Sequence, residues 1–195
     1  MSRKRVAVLI SGRGSNMAAL IEAAKAPDYP AEIALVLSNV PGAGGLALAE
    51  ASGIATATID HRRFGRDREA FEKAVQAELE AHRIDIVCLA GFMRILTPWL
   101  VTRWEGRMIN IHPALLPAYK GLDTHARALA DGATVHGATV HFVTPGLDEG
   151  PIILQEEVPV LPGDTVESLG RRVLEAEHRI YPAALRMIAT DYRLV

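Results

Sequence analysis

Short apolar runs alternate with segments of helical spacing through the first half of the chain, and this alternation restricts the fold more than any other feature. Residues 5–10 form a run of strand formers that ends in Ser11-Gly-Arg-Gly-Ser-Asn16, and residues 17–25 then place their apolar side chains at helical spacing. The unit returns as an apolar run over 33–38, a helix over 46–52 stopped by Gly53, and a run over 55–59. Residues 67–82 carry a helical apolar stripe that opens with acidic residues and closes with His82 and Arg83, as the helix dipole favours. Residues 84–89 are apolar on both faces, which suits a strand buried between two helix layers of a parallel sheet.

Thr97-Pro98 reads as an N-cap followed by proline at the first helical position, which predicts a short helix over 99–104 before a strand at 108–111. A loop with two prolines follows from His112 to Gly121, then a helix over about 124–130. The runs at 139–143 and 152–160 are too close for a helical crossover, so they are expected to pair antiparallel. Asp164-Thr-Val-Glu167 resembles a capping box opening a last helix, which Pro182 is expected to bend or to end in its first part. The expected class is α/β: one domain over residues 1–195, with an open, mostly parallel sheet, helices on both faces and an antiparallel C-terminal addition.

Charge excludes some functions. The formal net charge is −2, with 21 basic and 23 acidic residues interspersed, so the electrostatic footprint of a nucleic-acid partner is missing. No apolar stretch approaches the roughly 20 residues of a membrane span. The single cysteine, Cys88, sits inside an apolar run; it permits no internal disulfide and suits a reducing, cytoplasmic setting.

In open α/β sheets, ligands gather beyond the carboxyl ends of the strands. Gly12, Arg13, Gly14, Ser15 and Asn16 follow the first strand, and glycine there lets backbone N–H groups approach an anion at a helix N-terminus. A tight strand-to-helix turn is the plainer reading of the same loop. It is neither a P-loop nor a full dinucleotide fingerprint, since Met17 stands where a third glycine belongs. Asn110 and His112 alternate along one strand end, so their side chains share a side and pair a carboxamide donor with an imidazole. That pair suits stabilisation of an oxyanion and proton transfer during amine attack on a carbonyl carbon, or else a satisfied polar strand end. Asp148, between Gly146 and Gly150, is either turn chemistry or a carboxylate that approaches His112 and favours its charged form. His136 and His141 read as structural polar groups, and His61 and His82 as surface residues. Nucleophile elbows and metal-ligand spacings are missing, so direct transfer without a covalent intermediate or metal is expected.

Together, the segments Ile10-Ser-Gly-Arg-Gly-Ser-Asn16, Leu89-Ala-Gly-Phe-Met-Arg-Ile-Leu96, Asn110-Ile-His-Pro-Ala-Leu-Leu-Pro117, His141-Phe-Val-Thr144 with Asp148-Glu-Gly-Pro151, and Glu177-His-Arg-Ile-Tyr-Pro182 resemble the phosphoribosylglycinamide formyltransferase family. The resemblance implies a Rossmann-like formyltransferase sheet, 10-formyltetrahydrofolate as formyl donor and glycinamide ribonucleotide as acceptor, with a monomer or homodimer as the working form. It implies catalytic roles for Asn110, His112 and Asp148. It also implies an acceptor site at Gly12, Arg13, Gly14, Ser15 and Asn16 with Glu177 on the ribose, and a folate site along Met93, Arg94, Ile95, Leu96 and Val143, with Arg68, Asn110 and Asp148 contributing. Formyltetrahydrofolate hydrolases and methionyl-tRNA formyltransferases resemble this family but carry an extra N-terminal or C-terminal domain. A first strand starting at Arg5 argues against the former, and the charge against the latter. A non-catalytic sensor on the same fold has no need of the polar trio, and a nicotinamide dehydrogenase needs a ribose carboxylate after the second strand, where Ser38-Asn39 stands.

Overall fold

The computed structural model describes residues 3–190. The elements run β1 (Lys4–Ile10), α1 (Ser15–Ala24), β2 (Ala31–Ser38), α2 (Gly44–Ala51), β3 (Ala55–Thr58), a 3-10 turn (His61–Phe64), α3 (Arg68–Ala81), β4 (Ile86–Leu89), α4 (Pro98–Arg103), β5 (Met108–His112), α5 (Thr124–Ala130), β6 (Val135–Phe142), β7 (Ile152–Pro159) and α6 (Val166–Ala189). Seven strands form one sheet in the order β3-β2-β1-β4-β5-β6-β7. Pairing is parallel from β3 to β5 and antiparallel for β5 with β6 and β6 with β7. The chain winds outward from β1 to β3 and then returns to lay β4 on the other side of β1. The crevice at that reversal opens between the loops after β1 and β4.

Alternate side chains of β1 serve two cores. Val6, Val8 and Ile10 pack with Leu20 of α1 and Val173 and Tyr181 of α6, whereas Ala7 and Leu9 pack with Phe71 and Val75 of α3 and Leu100 of α4. Each fully buried Val, Leu, Ile or Phe contributes roughly 1.5–3 kcal/mol, so a central strand buried on both faces anchors the loop that leaves its end. Cys88 is buried in β4, a filler as expected.

Four local expectations need correction. Thr97 precedes α4, but its side chain does not cap the helix: its N–H and hydroxyl both go to the buried carboxylate of Glu72. The last helix is capped one residue later than Asp164-Thr-Val-Glu167 suggested, by a reciprocal Thr165–Ser168 box. Asp164 is drawn instead to Arg172, at 2.8 Å, and to the Leu161 N–H. Pro182 does not end that helix, which runs unbroken over 24 residues. Buried residues on both sides of the proline, from Leu169 to Ala189, hold it to the sheet against a cost of about 3 kcal/mol. Finally, β6 begins at Val135, so Val143 lies just beyond its end.

Candidate active site

β1 delivers Ser11 to the crevice, and the chain then turns through Gly14, whose φ of 74° is left-handed and favours glycine. No side chain caps α1 at that point, so its first backbone donors are left for another acceptor. Gly45 at the start of α2 closes against this loop: its N–H donates to the Gly12 carbonyl at 3.0 Å, and a Cβ there would stand 2.5 Å from Ile10 Cδ1. The loop residues Gly12, Arg13, Gly14, Ser15 and Asn16 line a cleft of about 280 Å³ whose opposite wall is Ala90, Gly91 and Met93.

Glu177 of α6 meets this loop through Asn16. It is buried, and Asn16 Nδ2 donates to its Oε2 at 3.0 Å, while Asn16 Oδ1 is buried without a partner. Burial pushes the Glu177 carboxyl from its ordinary 4.5 to about 7, with the Asn16 hydrogen bond pulling the other way. The folded state therefore favours the protonated form. That stabilisation is present in full below pH 4.5 and is lost as pH rises through about 7. Glu177→Gln removes the titration, so the stability gap between wild type and variant should shift by roughly 3 kcal/mol between pH 4.5 and 8, with the wild type relatively better in acid. Urea unfolding of both proteins at the two pH values measures this, and an unchanged gap contradicts it.

The loop after β4 forms the second wall. Met93 and Ile95 are 68% and 67% exposed, unusual for large apolar side chains, whereas Leu96 is buried and Val143 packs beside it on the α3 side of the sheet. Arg68 donates to the Ile95 carbonyl, and the Arg94 guanidinium lies 5.9 Å from the Phe71 ring centroid. Of the expected folate residues, Met93 and Ile95 thus give this loop an apolar, solvent-facing edge to which Arg68 is fastened.

Asn110 and His112 leave β5 on the same side, and the antiparallel β6 sets His141 directly opposite Asn110. Asp148 reaches them from the loop between β6 and β7. Its backbone takes a positive φ of 49°, its Oδ2 accepts from the Gly121 N–H at 2.9 Å, and Gly150 nearby lies so close to the Phe142 carbonyl that a Cβ would overlap it. Asp148 Oδ2 stands 3.5 Å from His112 Nδ1, and Oδ1 stands 3.7 Å from His141 Nε2. His112 Nε2 lies 2.9 Å from the Tyr119 carbonyl, which can only accept, so Nε2 carries a proton. The imidazole is thereby held between an acceptor on each nitrogen.

His141 was expected to be merely structural, and its part in the site was missed. Its Nδ1 donates to the Phe142 carbonyl at 2.9 Å, leaving Nε2 to accept from Asn110 Nδ2 at 3.3 Å. Desolvation lowers the His141 pKa and so favours the neutral ring that this role needs. The Asn110 amide is oriented by that bond. Cross-strand register is what would have revealed it, because His141 is 31 residues away in sequence. His61, expected at the surface, is instead half-buried against Asn39, with Nδ1 3.0 Å from the Asn39 carbonyl.

Fold and site together define a doubly wound α/β domain with a glycine loop after β1 and an Asn–His–Asp cluster after β5, both at the carboxyl ends of the strands. Residues 4–185 match the formyl transferase family. The chain belongs to that family, among the phosphoribosylglycinamide formyltransferases. The Escherichia coli (strain K12) phosphoribosylglycinamide formyltransferase is 47% identical over 97% of this chain and 88% of that protein. The solved phosphoribosylglycinamide formyltransferase of Brucella melitensis superposes with a TM-score of 0.93 at 53% identity, covering 99% of each chain. The human trifunctional purine biosynthetic protein adenosine-3 is 52% identical over 96% of this chain, which spans only 18% of that protein's length.

Proposed function

We propose that this chain transfers the formyl group of 10-formyltetrahydrofolate to the amino group of glycinamide ribonucleotide, a step of de novo purine synthesis carried out in the cytoplasm. The observation that carries the reading is the clustering of Asn110, His112 and Asp148 around His141 at the carboxyl ends of the strands, the same edge of the sheet that carries the uncapped N-terminus of α1. The acceptor's phosphate sits on the donors of Gly12, Arg13, Gly14, Ser15 and Asn16, and its ribose hydroxyls meet Glu177. The folate lies along Arg68, Met93, Arg94, Ile95, Leu96 and Val143 and reaches Asn110 and Asp148.

The acceptor amine attacks the formyl carbon, forming a C–N bond, and the carbonyl electron pair moves onto oxygen. Asn110 Nδ2 and the protonated His112 hold that oxyanion. Its collapse breaks the bond to N10 of the folate, and the proton lost by the amine ends on N10 by way of His112, giving formylglycinamide ribonucleotide and tetrahydrofolate. Engaging the formyl oxygen replaces the bond that His112 Nε2 makes here to Tyr119. Asp148 holds the charged ring in place from the other nitrogen.

The phosphate contact is tested by calorimetry with glycinamide ribonucleotide and its phosphate-free counterpart. Affinity should fall at least ~30-fold without the phosphate, since several charge-assisted bonds to backbone N–H groups are lost together. Equal affinity for the two compounds contradicts the placement.

A further inference from the structure

We propose that Ser11 is a positioning residue that couples the two substrate loops, so that occupancy of one site strengthens binding at the other. The inference rests on the formyltransferase reading above and concerns a residue with no part in that chemistry.

Ser11 ends β1, immediately before the anion loop, and both of its polar groups reach across the crevice to the loop after β4. Its backbone N–H donates to the Gly91 carbonyl at 3.2 Å, and its hydroxyl oxygen accepts from the Met93 N–H at 2.8 Å. The hydroxyl proton goes to Asn39 Oδ1 at 2.5 Å. Asn39 is 1% exposed, and His61 Nδ1 donates to its backbone carbonyl at 3.0 Å. A polar chain thus runs from the buried Asn39 through Ser11 to the backbone of Met93. At its far end the same loop is fastened by Glu72, which accepts from the Thr97 N–H at 2.6 Å. Between these two fixings, residues 91–96 form no helix or strand, and Met93 lines the cleft shared with the anion loop.

With Met93 and Ile95 68% and 67% exposed, the loop after β4 has little packing of its own, and a ligand laid on it supplies that packing. Where a clasp joins the loops, the first ligand bears part of the ordering cost for the second, which is positive cooperativity without a change of shape. Linkage makes the effect reciprocal.

The test titrates glycinamide ribonucleotide calorimetrically into the purified chain, alone and with saturating tetrahydrofolate, which carries no formyl group and so allows no turnover. In the wild type, folate should raise acceptor affinity by at least ~5-fold. In Ser11→Ala that ratio should fall to about 1, with each binary affinity kept within about 3-fold. A wild-type ratio of 1, or an undiminished ratio in Ser11→Ala, overturns the coupling. A second readout needs no substitution: the acceptor alone should slow hydrogen exchange at the Met93 amide at least ~5-fold, and unchanged exchange overturns the proposal equally. Binding of both ligands without coupling sinks this inference alone, whereas binding of neither removes the functional reading and the inference with it.

Discussion

His112→Ala is expected to lower turnover at least ~100-fold, and Asn110→Ala by a similar factor, with much smaller changes in substrate affinity. On the proposed mechanism both side chains act on charge that develops only as the amine adds to the formyl carbon, so their loss is expected to fall on the rate of the step rather than on binding. The structure adds a reason for the asparagine to be well placed. Its amide is oriented by His141 Nε2, so the donor meets the oxyanion without first being ordered. Circular dichroism and thermal melting establish that each variant is folded, and steady-state kinetics give the rates. A folded variant with wild-type turnover removes that residue from the mechanism.

Asp148→Asn should lower turnover by ~10–100-fold while leaving both Michaelis constants within about 3-fold. The substitution keeps the size of the side chain and an oxygen to accept from the Gly121 N–H, so the left-handed turn at this position survives. What changes is the charge facing His112 Nδ1 at 3.5 Å. The same Oδ2 accepts from Gly121 and faces Nδ1, so the variant keeps an oxygen there but without the carboxylate's charge, and the proposed charged ring loses its counter-ion. Loss confined to the Michaelis constants points instead to a purely structural carboxylate.

The elements were legible where a local pattern and its tertiary use agree. The double-sided apolar runs became central parallel strands, the close pair of β-rich runs became antiparallel neighbours, and Asn110 and His112 share a side because a strand alternates. Sequence failed where the deciding partner lies outside the local motif. Asp164 and Thr165 are both good caps, and the choice fell to Thr165 because Arg172 claims the aspartate. Thr97 has the composition of a cap, but Glu72, on a different helix, takes its donors. At Pro182 the sequence left a bent or an ended helix open, and the packing on both sides of the proline excludes the ended one. His141 is legible as a site residue only once the register of β5 with β6 is known, and Gly45 only once α2 is seen to close on Gly12. In each case a contact outside the local motif outweighs a local preference of a few kcal/mol or less.

The central claim is that two substrates are held together so that the amine, not water, takes the formyl group. It is tested by incubating the purified chain with 10-formyltetrahydrofolate, with and without glycinamide ribonucleotide, and following tetrahydrofolate release. Proximity of the bound amine to the formyl carbon makes release depend on the acceptor. The account predicts at least ~100-fold faster release with the acceptor present, matched one for one by formylglycinamide ribonucleotide. Release at the same rate without acceptor contradicts it and makes the chain a hydrolase, and binding of both ligands with no release at all makes it a sensor.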